Sequence, residues 1–227
     1  MACTVFSEGR VPRELLAYII VEPIQGEGGF IFPEGRFLRA VESFARETGA
    51  LLICDEVQTG LGRTGHWWAS EAFGIRPDII ISAKALRVGA VIGREEVFPE
   101  ESAVISTTWG GGALGCAVGA ATIEVISSEG LLHNASAQGE YFKEGLFRLA
   151  DRYSAVTEVR GLGLMLALEL SSQELRDRLV ETLFQRGLLT IGCGTKTVRF
   201  LPPLDVRKRE LDLALEVLEG TLRGPEE

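Results

Sequence analysis

The sequence predicts an α/β fold, a mostly parallel sheet with one antiparallel strand, followed by a smaller α+β unit. Three observations predict it. Short apolar runs at 15–21 (LLAYIIV), 51–54 (LLIC) and 79–81 (III) have strand length and alternate with segments of helical period. Each run stops at or shortly before a chemically able residue, Glu22, Asp55 or Lys84. Past position 130 the order changes to strand pairs flanked by separate helices, which suits a second unit of α+β type. The chain is therefore divided into units 1–129 and 130–227.

The first run, 15–21, reads as a buried strand stopped by Glu22-Pro23. After a glycine-rich loop, residues 34–48 place Phe37, Leu38, Val41, Phe44 and Ala45 at helical spacing, and Gly49 follows as a cap. The run 51–54 repeats the buried-strand pattern, which makes a strand-helix-strand unit with parallel strands. A loop (QTGLGRTG) and a short helix lead to the third strand at 79–81. The next strand, 90–93, follows too closely for a parallel crossover, so it is expected to run antiparallel to its predecessor. The small-residue stretch 113–128 reads as a long helix closed by Gly130. In the second unit, 140–153 is helical, 158–170 is a glycine-punctuated strand pair, and 172–185 is an amphipathic helix with Leu175, Leu179, Leu183 and Phe184. Strands are expected at 188–191 and 197–201, and a last helix at 210–222.

Composition narrows the functions. With 46% hydrophobic and 24% charged residues, the 227-residue chain can bury a sizeable core. Its net charge of −9, spread along the chain, lacks the electrostatic footprint of nucleic-acid binding. No apolar stretch approaches the length that spans a bilayer, so no membrane partner is expected. Cys3, Cys54, Cys116 and Cys193 stand far apart without a CxxC pair, which suits a reducing cytoplasm better than a disulfide framework or a zinc ribbon. Two histidines leave little material for a metal centre or a Ser-His-Asp triad.

Ligands of open α/β sheets gather beyond the carboxyl ends of the strands. Glu22, Asp55 and Lys84 converge there, and an amine beside carboxylates at a strand end can be a Schiff-base nucleophile. Position alone fits a surface lysine leaving the sheet better. Asp55-Glu56 also suggests the acidic strand end of a P-loop NTPase, but GCGTKT at 192–197 has the wrong spacing for the required GxxxxGK[ST]. Asp55 as a turn cap, and Gly26, Gly28 and Gly29 as turn formers, are the plainer readings of those residues.

The wording of four segments goes further. VEPIQGEGG (21–29), CDEVQTGLGRTG (54–65), PDIIISAKAL (77–86) and VRFLPPL (198–204) resemble, in order, the signature blocks of class III pyridoxal-phosphate aminotransferases. The resemblance runs from about residue 15 onward and implies the C-terminal part of the large domain of a fold-type-I pyridoxal-phosphate transferase, plus its small domain. It implies pyridoxal 5'-phosphate as cofactor, with Lys84 as the Schiff-base lysine and Asp55 as the partner of the pyridinium nitrogen. Gln58 matches the amide at the ring's phenolic oxygen, and Val57 the side chain packed on the ring face. Thr108 matches a threonine that reaches the cofactor phosphate of the neighbouring subunit, so a homodimer or larger homo-oligomer is implied. Arg199 matches the arginine that binds a substrate carboxylate, and Glu27 the glutamate that pairs with it and swings away. A structural ion pair is the alternative for those two. Glu22 is expected near the cofactor.

The implied reaction moves an amino group from an amine-bearing amino acid of the 4-aminobutyrate, ornithine or lysine type to a 2-oxo acid. The short link after Lys84, with STTWGG and TVRFLPPL, resembles 4-aminobutyrate and L-lysine 6-aminotransferase-like members more than the acetylornithine branch, and Gly112 stands where most relatives have Asn. Family members are roughly twice this length, and their phosphate-binding loop and ring-stacking aromatic have no counterpart upstream of Leu15. A fragment of a longer enzyme is thus expected, with a non-catalytic assembly partner or a racemase of the same fold as alternatives.

Overall fold

A computed structural model describes residues 12–100 and 110–224. Its first sheet has the order β1-β2-β3-β4, formed by Tyr18–Val21, Leu51–Asp55, Ile79–Ser82 and Ala90–Gly93. β1, β2 and β3 run parallel and β4 returns antiparallel, Ser82 opposite Ala90. Helix α1 (Phe37–Thr48) makes the crossover between β1 and β2. Its Leu38, Val41 and Ala45 are buried on Leu52, Cys54, Ile19 and Val21, and Gly49 ends it at φ 73°.

The strands of this sheet are less buried than their apolar runs predict. Ile19 and Val21 face α1, while Tyr18 and Ile20 on the opposite face are exposed, Ile20 by 52%. Leu15 lies in a 3-10 turn rather than the strand, and β3 is half-buried. A continuous apolar run reports that both faces of a strand are meant for contact. Among the described residues only one face of β1 has it.

Helix α2 (Ala69–Phe73) precedes β3, and a 3-10 turn at Lys84–Leu86 follows it. Helix α3 (Ala113–Ser128) then leads into α4 (Leu131–Arg152). α4 begins nine residues before position 140, the start its periodicity predicts. The early turns contain Asn134, Ser136 and Gly139, weak helix formers. They are held by tertiary contacts instead: Asn134 Nδ2 donates to the carbonyls of Leu204 and Val206 at 2.6 and 3.0 Å.

The second sheet is antiparallel, in the order β5-β6-β8-β7. It comprises β5 (Val156–Leu162), β6 (Met165–Leu170), β7 (Ile191–Cys193) and β8 (Thr197–Phe200), with helix α5 (Gln173–Gln185) between β6 and β7 and α6 (Lys208–Arg223) at the end. One face, carrying Leu166, Leu168, Val198 and Phe200, packs with α4, α5 and α6 around Phe142 and Leu146. Two expectations shift here. β7 begins at Ile191, where the 188–191 strand was expected to end, and Phe184 is 67% exposed although its spacing placed it on the buried face of α5.

The loop after β2 meets the second unit at a glycine turn. A Cβ on Gly163, in the β5–β6 turn (φ 56°), would lie 2.4 Å from the backbone carbon of Thr64, and one on Gly139 would lie 2.1 Å from the Gly163 carbonyl oxygen. The Leu164 amide donates to the Arg63 carbonyl at 2.9 Å. Arg63 returns with Nη1 donating to Leu164 and Pro202 carbonyls at 3.2 and 2.5 Å. Burial lowers the Arg63 pKa to about 10, which leaves it charged at neutral pH.

Candidate active site

Three parallel strands deliver three groups to one edge of the first sheet. β1 ends at Val21 and passes to Glu22, β2 ends at Asp55, and β3 ends at Ser82, two residues before Lys84. Asp55 is opposite Ile81, and the Glu56 amide donates to the Ile81 carbonyl at 2.9 Å, which ties the ends of β2 and β3 together. Lys84 is exposed and opens its 3-10 turn after Ala83, whose backbone (φ −155°, ψ −115°) turns the chain sharply out of the sheet.

Asp55 is half-buried, and its Oδ1 accepts the Val57 amide at 3.0 Å, so the plain reading of a turn cap is met by one oxygen. Among the described residues no hydrogen bond occupies Oδ2. Gln58 follows, half-buried, and its Oε1 is buried without a hydrogen-bond partner. Gly26 makes that placement possible, because a Cβ there would lie 1.8 Å from Gln58 Oε1. Glu22 Oε2 accepts the Gly26 amide at 2.8 Å and holds the loop from below. Of the three glycines read as turn formers, Gly29 has a positive φ of 123° and Gly26 answers a close approach.

The loop 25–31 carries Glu27 across to the second sheet. Arg199, on β8 and 9% exposed, donates from Nη1 to Glu27 Oε1 at 2.5 Å. The Glu27 side chain is 71% exposed. The Arg199 hydrogen bond draws the Glu27 pKa below its ordinary value, against the raising effect of desolvation, with Gln58 and the Lys84 charge acting in the same direction as Arg199. Arg199, Gln58 and Lys84 thus all act on Glu27 in one direction. Arg199 Nε is buried and unpartnered.

Glu22, Asp55 and Lys84 thus follow the ends of β1, β2 and β3, Val57 and Gln58 follow Asp55, and Glu27 pairs with Arg199. Thr108 lies outside the described residues. A cavity of about 630 Å³ touches this group only through Arg199 and is otherwise lined by Leu188, Phe200, Leu211 and other, mostly apolar, residues.

Two residues beside the site have roles that the sequence reading did not give them. Glu56 is 1% exposed and accepts from Thr59 Oγ1 at 2.6 Å and from the amides of Ala69 and Ser70 at 2.8 Å each. It is a structural anchor, not a metal ligand, and no cluster of metal-binding type occurs among the described residues. Arg160 on β5 holds the Glu27 loop from the far side. Only the glycine-punctuated wording around it, VRGLGL, marked that segment.

A profile described as aminotransferase class-III matches residues 6–222. The chain belongs to the class III aminotransferases. Curated relatives include the putrescine aminotransferase of Pectobacterium atrosepticum, 41% identical over 92% of this chain and 47% of its own length. The acetylornithine aminotransferase of Methanothermobacter thermautotrophicus is also 41% identical, over 89% of this chain and 53% of its own. Among solved structures, the lysine aminotransferase from M. tuberculosis in the internal aldimine form superposes with TM-score 0.85 at 39% identity, covering 90% of this chain and 48% of that one. The ornithine aminotransferase from Plasmodium yoelii gives 0.84 at 33% identity, covering 91% and 57%. The chain spans about half the length of the curated class III relatives it matches.

Class III aminotransferases work with pyridoxal phosphate, and the residues present fit its ring. Among the described residues Asp55 has an oxygen free for a protonated ring nitrogen, Gln58 has an Oε1 buried without a hydrogen-bond partner, Val57 offers an apolar side chain, and Lys84 an accessible amine.

Proposed function

We propose that this chain carries the ring-binding and carboxylate-binding residues of a transaminase that moves an amino group from an amine-bearing amino acid to a 2-oxo acid. The Glu27–Arg199 pair, beside Lys84, Gln58 and Asp55, carries this reading. Pyridoxal phosphate, when bound, supplies a carbonyl that exchanges amines and a ring that accepts the electron pair of a broken C–H bond.

The chain's own residues divide the remaining work. Asp55 would hold the proton on the ring nitrogen by charge. Gln58 would orient the ring at its phenolic oxygen, and Val57 would pack on its face. Lys84 would hold the cofactor through Nζ, and its amine would serve as the base that takes the proton from the amine-bearing carbon and delivers it across the nitrogen to the cofactor's carbon. Arg199 presents a planar fork to a carboxylate. Glu27 occupies that fork while a substrate lacking a carboxylate at this end is bound, and leaves it to a 2-oxo dicarboxylate. Glu22 supports the loop through Gly26. Thr108 would serve the phosphate of a neighbouring subunit in a homodimer. Donors of the 4-aminobutyrate, ornithine or lysine type suit a site with an amine at one end and an arginine at the other.

Titrating the purified chain with pyridoxal phosphate tests this. An absorbance band of the lysine-bound cofactor should appear in the parent protein and be missing in Lys84→Ala. Identical spectra would sink the claim that this chain binds the ring through Lys84. A second reading, an assembly partner for a longer chain, is favoured by the exposed face of β1. Copurification with such a chain and no cofactor band alone would support it.

A further inference from the structure

Arg160, Ala167 and Arg199 form one cross-strand row, since Arg160 is opposite Ala167 on β6 and Ala167 is opposite Arg199 on β8. Directly paired residues share a sheet face, so both arginines rise on the side turned towards the 25–31 loop. Between them Ala167 is fully buried under Phe30 of that loop and Ile24 just before it, with Met165 and Cys193 beside it. The loop therefore lies across a small residue with an arginine at each side.

The two arginines bind differently. Arg160 Nη2 donates to the Gly29 carbonyl at 2.7 Å and to Thr197 Oγ1 at 3.1 Å, and Nε donates to the Phe30 carbonyl at 3.0 Å. Its Nη1 lies 2.9 and 2.8 Å from carboxylate oxygens of Glu158 and Glu169, close ion pairs not aligned as hydrogen bonds. Arg199 meets one carboxylate, on a side chain 71% exposed, and its Nε has no partner. A guanidinium engaged on backbone carbonyls cannot change partner without moving the loop, whereas one holding a single exposed carboxylate can. The Gly194 amide adds a 2.9 Å bond to the Glu27 carbonyl, and a Cβ on Gly194 would lie 2.9 Å from the Gly28 carbonyl oxygen, so the loop backbone lies flush on the β7–β8 turn.

We propose that Arg160 is a positioning residue that fixes the backbone of the 25–31 loop, so that Glu27 yields Arg199 to a substrate carboxylate by side-chain rotation alone. This rests on the reading of Arg199 as a carboxylate receptor. It gives Arg160 a role in substrate exchange although it touches no substrate.

The test uses the chain without cofactor and two readouts. Arg160→Lys keeps the charge beside Glu158 and Glu169 but loses the fork on Gly29 and Phe30. Amide hydrogen exchange at Gly29, Phe30 and Ile31 should accelerate by roughly tenfold or more, with circular dichroism unchanged. Thr197→Val, a milder change, should move the same amides in the same direction. Unchanged exchange in both variants overturns the anchor.

Glutarate binding by calorimetry reads the exchange itself. Glu27→Gln should tighten binding by about fivefold by removing the competing carboxylate. Arg160→Lys should tighten it by about threefold when Glu27 is present and leave it unchanged in the Glu27→Gln background. An equal effect in both backgrounds overturns the route through Glu27. Glutarate binding insensitive to Arg199→Lys overturns the carboxylate reading instead, while hydrogen exchange still judges the anchor.

Discussion

At Glu27 one hydrogen bond from Arg199 outweighs desolvation and holds the carboxyl below its ordinary value of 4.5. The sign follows directly: the pair is fully formed above the usual glutamate range and is lost as pH falls through the lowered folded value. A carbon-detected titration should find Glu27 below the ordinary range and find it moved upward in Arg199→Ala, and a midpoint insensitive to that change contradicts the pairing. Burial, with Glu56 and Glu42 adding negative charge, pushes the Cys54 thiol up to about 12, and burial likewise raises Cys193. Cys116 is exposed. Peptide mapping after iodoacetamide at neutral pH should therefore show Cys116 alkylated and Cys54 and Cys193 protected until the chain is unfolded. Asp55, Lys84 and Arg199 were legible because motif wording names individual side chains. Arg160 and Glu56 were not, since their partners are backbone groups far along the chain or in a short helix that no periodicity announces.

At the scale of elements, α2 shows how a site-bearing loop is held. Five residues are too few for a helix to persist unaided. Its first amides end on the buried Glu56 carboxylate, which also takes the Thr59 hydroxyl and so closes the turn after β2. Glu56→Gln turns an acceptor into a donor facing donors and should cost about 2–3 kcal/mol, read as a lowered urea midpoint with the slope unchanged. The antiparallel return of β4 was legible from link length alone, because a parallel crossover needs more chain. The start of α4 was not, because Asn134 and its carbonyl partners near 204–206 override weak local propensity. β7 shifted for a similar reason: an edge strand is registered by its neighbour β8, not by its own pattern.

Across the whole molecule, large apolar side chains stay exposed in both units, among them those on the face of β1 turned away from α1. Tyr18 and Ile20 on β1 and Leu114 on α3, the last 80% exposed, are large side chains left in water. Sedimentation of the purified chain should show mass rising with concentration, and Ile20→Lys should weaken that association with little loss of stability, since its side chain is already half-exposed. A concentration-independent monomer contradicts it. The sequence expectation of buried strands was accurate about the residues and silent about what would bury them.

The glycine junction has a consequence for the chemistry. Thr64, Gly139 and Gly163 meet through main-chain atoms, with no side chain between them to lengthen or trim. Lys84 stands on one side of that seam and Arg199 on the other, so on the proposed reading the seam would act as a ruler between the lysine amine and the carboxylate-binding arginine. Drift in surrounding side chains leaves such a ruler unchanged. A related enzyme that prefers a donor one carbon longer must reach it at the ends, by reshaping the turn after β3 or the tip of the 25–31 loop. Enlarging Gly163 even to alanine should recalibrate donor length and loosen the chain together, whereas exchanges at Val57 or Ala167 should alter one without the other.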